Sequence, residues 1–258
     1  MKTASISFAI FVLLYASCTK IPSNNQTTIK SSADLITAMH KKYKGKWFKQ
    51  FTFVQETYSI DENGKETDQS IWHEAIEYPK NFRIDYGPLS EGNTNIYGKD
   101  SVWSFREGKL KIVKYAPREF LLMKGGLYHL TVEETLKQLE GYGYDCSKFR
   151  MDELNGRKVF VIGAQKDDLK SSQFWFDAEH FYVVRRINTR KTKVVDVIYS
   201  KHIFSNGGWV EQEVKFWVNQ KYYQIEYYKK IDTQPNLKAT VFDPNLYGQQ
   251  KHWSEAKK

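Results

Sequence analysis

Between Gln173 and Phe242 the chain alternates apolar with polar residues, run after run, and breaks the alternation at turn residues. A period of two over this length demands an antiparallel sheet with one dry face and one wet face. Val210, Val214, Phe216 and Val218 fall on one side of a run, with Gln212 the polar exception, and Glu211, Glu213 and Lys215 fall on the other. The next run sets Tyr223, Ile225, Tyr227 and Ile231 against Gln224, Glu226 and Lys230. Asn206-Gly207-Gly208 tolerates positive φ, and Asn219-Gln220 is short enough for a tight reversal. The rest of the chain is expected to extend this sheet or to cover its concave side.

Upstream, the same pattern gives strands at Trp47–Ile60, Thr67–Tyr78 and Phe82–Tyr86, the first two joined through Asn63-Gly64. Shorter ones follow at Asn95–Tyr97, Ser101–Phe105 and Lys109–Tyr115. Later come Lys158–Ile162 after Asn155-Gly156, then Ser172–Phe176, Phe181–Thr189 and Lys193–Phe204. Two helices interrupt them. Ser31 caps the first with Asp34 three residues on, and Leu35, Ile36, Met39 and Tyr43 stripe one side. After an apolar patch at Pro117–Met123 and Gly125-Gly126, Thr131 with Glu134 makes a second capping box. Val132, Leu136 and Leu139 face one way there, and Gly141 and Gly143 end the helix. This insertion reads equally as a cover over the sheet or as a plain crossover between its halves.

At 258 residues, 41% hydrophobic, the chain can bury a real core as one all-β unit. Seventeen Tyr, 16 Phe and 7 Trp suit pleated surfaces, and they also suit a protein that holds something greasy. The net charge of +9 fits a solvated strand exterior or a basic surface that meets anionic partners. The lysines are spread along the chain, which favours the exterior, and no nucleic-acid motif with base-stacking aromatics stands out, so no nucleic-acid partner is expected.

The N-terminus reads as a signal. Lys2 precedes an apolar stretch from Ile6 to Leu14, well short of the ~20 residues of a membrane-spanning helix. Leu14-Tyr15-Ala16-Ser17-Cys18 resembles a bacterial lipobox, with Tyr15 where an aliphatic residue is usual. The alternative is an ordinary signal peptide with an incidental cysteine. The expected organisation is a signal peptide at 1–17, lipidation on Cys18, a polar tether at 18–30, one domain at 31–247 and a disordered tail at 248–258. With Cys18 acylated, Cys146 has no partner for a disulfide.

Catalytic and metal motifs are missing. The six histidines (His40, His73, His129, His180, His202, His252) lack zinc-ligand spacing, and there is no Gly-x-Ser-x-Gly elbow or phosphate-cradling glycine loop. Glu133-Glu134 sit in a first helical turn, where the dipole accounts for them, and Glu211 and Glu213 read as wet-side residues. No enzymatic activity, catalytic residue, metal or cofactor is expected.

The order of motifs resembles the LolA/LolB-like lipoprotein-carrier superfamily from about Ala33 to Pro244. After the amphipathic first helix, Phe51-Thr52-Phe53-Val54-Gln55 is similar to that family's aromatic-x-x-Gln strand start. Tyr78-Pro79-Lys80-Asn81-Phe82-Arg83 resembles its Arg-Pro-x-x-Phe segment, and Tyr97-Gly98-Lys99-Asp100-Ser101-Val102-Trp103 its Asp-Gly-Lys-x-x-Trp turn. Phe174-Trp175-Phe176-Asp177 and Val241-Phe242-Asp243-Pro244 fit as well. The resemblance implies a mainly β (α+β) fold, a half-open antiparallel β-barrel of about eleven strands with a helical lid over its concave face. It also implies an apolar cavity for acyl chains. The family's carrier links barrel to lid through an Arg where this chain has Tyr78, which puts that latch in doubt.

The expected function is a membrane-anchored periplasmic protein that binds a lipid or an acylated lipoprotein, with a role in lipoprotein sorting. It is expected to be monomeric and at the outer membrane in preference to the inner. The alternative is an envelope scaffold or sensor that uses the same fold with no bound lipid. Candidate lining residues are Phe53, Trp103, Phe174, Val214, Phe216 and Ile225. Trp72 is set aside because both parities of its strand are apolar, and Phe82 because it sits at a turn.

Overall fold

The computed structural model describes residues 28–255. The signal peptide, Cys18 and most of the tether lie outside the described residues. The chain opens with α1 (Ser32–Tyr43) and then runs through β1 (Gln50–Ile60), β2 (Glu66–Glu77), β3 (Asn81–Tyr86), β4 (Asn93–Gly98), β5 (Ser101–Arg106) and β6 (Lys109–Tyr115). Two helices follow, α2 (Glu119–Lys124) and α3 (Val132–Gly141). The second strand block is β7 (Phe149–Leu154), β8 (Arg157–Ile162), β9 (Gln173–Asp177), β10 (Val183–Arg190) and β11 (Lys193–Ser200). It ends with β12 (Ile203–Ser205), β13 (Gly208–Val210), β14 (Glu213–Val218) and β15 (Lys221–Asp232).

Thirteen strands form one sheet in the order β6-β5-β4-β3-β2-β1-β15-β14-β11-β10-β9-β8-β7, and β12 and β13 make a separate ribbon. The expected eleven is therefore an undercount. β7 escaped notice because Arg150, Asp152 and Glu153 break its alternation, as a charged border strand allows. Every strand pairs antiparallel with its neighbours, and the sheet does not close: β6 and β7 are free borders. Two-residue reversals join several strands, with both central residues at positive φ at Lys99-Asp100, Glu107-Gly108, Asn155-Gly156 and Asn219-Gln220. Such turns carry the right-handed twist of the strands through the hairpin.

Register shifts within β1/β15, β2/β1, β14/β15, β10/β9 and β5/β6 add local twist. Tyr97 of β4 and Arg186 of β10 stand seven strand-to-strand steps apart, ~34 Å on a flat sheet. They line one cavity, so the sheet curls over on itself.

The helices fill the concave side. Leu35, Ile36 and Met39 of α1 are fully buried, as their helical spacing requires, and Ser31 caps the helix by accepting from the Asp34 amide. The Asp34 carboxylate accepts from the Lys30 amide, one residue before the cap. α3 carries the complete Thr131/Glu134 capping box. With Leu121, Leu122 and Met123 of α2, these helices share one core with Phe51, Phe53, Phe174 and Phe176 of the sheet. That settles the insertion as a cover.

Residues 248–255, expected to be a disordered tail, instead return to the convex face. There Asp85 accepts hydrogen bonds from Arg83 Nε at 2.9 Å and Thr94 Oγ1 at 2.6 Å, and it sits 2.9 Å from His252 Nε2. The Trp253 indole also donates to it at 3.4 Å. Arg83 and His252 hold the Asp85 carboxyl down at about 2 against the opposing effect of its burial.

Candidate functional site

Beneath the helices lies a cavity of about 270 Å³. Its wall is mostly aromatic and aliphatic: Phe53 from β1, Trp72 and Ile76 from β2, Phe82, Ile84 and Tyr86 from β3, and Val214, Phe216 and Tyr228 from β14 and β15. The ladder explains the grouping. Phe53 pairs with Glu74, Gln55 with Trp72 and Tyr228, and Val214 with Glu226, so all of these side chains point the same way.

Three of the expected lining residues meet here, namely Phe53, Val214 and Phe216. Phe174 belongs to the adjoining core, stacked on Tyr144 at 4.7 Å between ring centres. Trp103 pairs with Ile96, whose neighbour Tyr97 faces the cavity, so Trp103 points to the other face. Ile225 is buried, but it stands between Gln224 and Glu226 of β15, and Glu226 and Tyr228 are the residues that look inward. Trp72 and Phe82, both set aside on the sequence, line the cavity.

The interior is not dry. Glu74 and Glu226 face the cavity from neighbouring parts of the wall, with Arg118, Lys124 and Arg186 around them. Lys124, the last residue of α2, forms an ion pair with Glu211, and its ammonium lies 5.3 Å from the Tyr228 ring centre. Glu211, read as a wet-side residue, is buried, because the chain leaves strand geometry at 211–212 between β13 and β14 and the parity resets. Arg186 Nη1 lies 3.3 Å from Glu119 Oε1.

Burial pushes the Glu226 carboxyl up to about 8, with Lys124 opposing, and the Gln224 amide donates to it at 2.7 Å. Burial, then the proximity of Glu226, raises Glu74 well above the usual carboxylate range. With its carboxyl at about 8, Glu226 is largely protonated at pH 7 and can donate as well as accept.

A second, larger space of about 460 Å³ lies outside, between α3 and the β4–β5 turn. Lys80, Asp100, Tyr115, Lys137 and Tyr142 line it, and it shares Tyr97 and Arg118 with the inner cavity. The Arg118 guanidinium stacks on the Tyr97 ring at 3.8 Å. Arg118 and Tyr97 thus stand at the boundary between the two spaces.

Tyr78, where the resembling carriers have an Arg, still joins sheet to cover. Its hydroxyl donates to the Lys124 carbonyl at 3.4 Å, and its ring lies so close to Gly125 that a Cβ there would meet it at 2.6 Å.

Among the described residues no group of three His, Cys, Asp or Glu side chains could hold a metal ion, and no helix is long and apolar enough to cross a membrane. Cys146 is a free thiol, pushed up to about 11 by burial.

No protein-family model matches the chain, and no curated protein matches it. Solved structures do. An outer membrane lipoprotein-sorting protein domain from Vibrio parahaemolyticus superposes with a TM-score of 0.53 at 14% identity, over 82% of this chain and 96% of that one. A DUF1329 family protein from Desulfovibrio piger gives 0.53 at 10% identity, over 84% and 97%. A LolA superfamily protein from Nitrosomonas europaea gives 0.53 at 9% identity, over 84% and 99%. The open sheet, its helical cover and these superpositions agree: the chain has the LolA/LolB-like fold.

Proposed function

We propose that this is a non-enzymatic protein of the bacterial cell envelope, tethered to a membrane through Cys18, that holds a lipid or the acyl chain of a lipoprotein beneath its helices. The observation that carries the reading is the aromatic cavity of about 270 Å³ between sheet and cover. Its rings and aliphatic groups would shield apolar area from water at ~25 cal/mol per Å². The fold is shared with a domain described as lipoprotein-sorting, which supports the same reading. A monomer at the outer membrane, facing the periplasm, is the arrangement we favour.

The polar share of the wall favours a second reading, an envelope scaffold or sensor with no bound lipid. Native mass spectrometry of protein purified without delipidation separates the two. Co-purifying lipid mass, lost on Phe53→Trp or Val214→Trp, is the expected result. Bare protein mass under every mild condition would remove the lipid reading.

A further inference from the structure

The cavity wall carries charge as well as greasy area, and one of its cations, Arg118, stands apart from the others. Three cationic side chains face the inner space. Lys124 is matched by Glu211 and Arg186 by Glu119. Among the described residues Arg118 has neither an ion pair nor a hydrogen bond, and its Nε is buried without a partner. Glu74 lines the same cavity but forms no ion pair with Arg118, and burial raises the Glu74 carboxyl well above the usual range. A part-buried guanidinium left so far unmatched carries a desolvation cost that only an acceptor, best an anion, offsets.

Position adds to charge. The inner cavity alone falls under the ~300–1,000 Å³ of ordinary ligand pockets, and the outer groove lies on the other side of Arg118 and Tyr97. A molecule that uses both spaces must pass the guanidinium. An apolar chain can lie against Phe53, Phe82 and Phe216 inside, with its polar end at Arg118. A cationic end group would meet Arg118, Lys124 and Arg186 together, and a neutral one would bury Arg118 with weaker compensation.

Resting on the lipid-binding reading above, we propose that Arg118 anchors the head group of an amphiphile with an anionic oxygen acid, a carboxylate or a phosphate, whose chain occupies the aromatic cavity. Arg118 suits this role because its planar fork can hold two oxygens while its other face stays on Tyr97.

The test is calorimetric titration of the delipidated full chain with ligands of one chain length: dodecanoate, dodecyl phosphate, dodecanol and dodecyltrimethylammonium, with inorganic phosphate alone as a further arm. The two anions should bind roughly tenfold or more tighter than the alcohol, the worth of one charge-assisted contact. Arg118→Gln should erase that preference, with the two anions falling to the affinity of dodecanol. Equal affinity for all four amphiphiles, or tighter binding of the cation, overturns the anchor while the lipid cavity survives. No binding by any amphiphile overturns both readings. Inorganic phosphate as tight as dodecyl phosphate means a free-anion site and overturns the amphiphile. Should Arg118→Gln fail to fold, the head-group series on the wild type decides alone.

Discussion

Glu226→Gln removes a titrating carboxyl and keeps its shape and one carbonyl oxygen. In the wild type, burial raises this group from an ordinary 4.5 to about 8, with Glu211 adding to the rise and Lys124 and Gln224 opposing it. The folded protein therefore keeps a proton that the unfolded chain releases above pH 4.5. For an acid raised in this way, stability is fullest below the unfolded value and falls as pH climbs towards the folded one. At about 1.36 kcal/mol per pH unit, the cost to the wild type reaches about 5 kcal/mol above pH 8. On the same scale it is about 2 kcal/mol at pH 6 and about 3 kcal/mol at pH 7. The glutamine carries no such cost. Asp85 is common to both proteins, while Glu74 is raised in part by Glu226, so the difference between variant and wild type reports Glu226 together with its effect on Glu74. Urea unfolding of both at half-unit steps from pH 5 to 8.5 is the assay. The variant should gain on the wild type steadily as pH rises. A difference that stays constant across the range refutes the argument, because Glu226 would then be titrating as if in water.

Asp85→Asn should free the C-terminal return and leave Arg83 buried without its counter-charge, costing about 3 kcal/mol in chemical denaturation at pH 7. In the wild type the Asp85 contribution, about 2 kcal/mol from a carboxyl held at about 2, is present above pH 4 and is lost as pH falls through 2; the variant should lack that acid step. Gly125→Ala drives a methyl into the Tyr78 ring and the Trp47 indole, at 2.6 and 2.7 Å, and should cost about 2 kcal/mol by thermal unfolding. In cells fed a fatty-acid analogue, the wild type should take up label and Cys18→Ala should take up none; equal labelling would remove the anchor.

The helices and turns were legible because their signals are local. Ser31, Thr131 and Glu134 cap where their spacing puts them, and positive-φ reversals fall at Asn155-Gly156 and Asn219-Gln220. The inward face was less legible. In β15 the aromatic parity of Tyr223 and Tyr227 reads as dry, yet Tyr223 is exposed and Tyr227 meets Tyr58 ring-to-edge at 5.9 Å on the outside. Both faces of this sheet carry rings, so apolarity does not tell them apart, and a choice one residue off exchanges Ile225 for Glu226. The buried charges were the hardest part. Arg118 and Lys124 flank an apolar patch, while Glu74, Arg186 and Glu226 lie on three separate strands; only the curl of the sheet brings them together.

β6 has consequences for how these molecules treat one another. Every residue from Lys109 to Tyr115 is exposed, and Lys109, Lys111 and Lys114 are interspersed with Leu110, Ile112 and Val113. Unbonded amides along a greasy margin would ordinarily recruit an identical margin from a second molecule. Here such a union would crowd ammonium groups against each other on a chain already at +9, and like charges placed opposite push strands apart. Repulsion does the work that closure does in a complete barrel, and the protein can stay crowded without zipping into fibres.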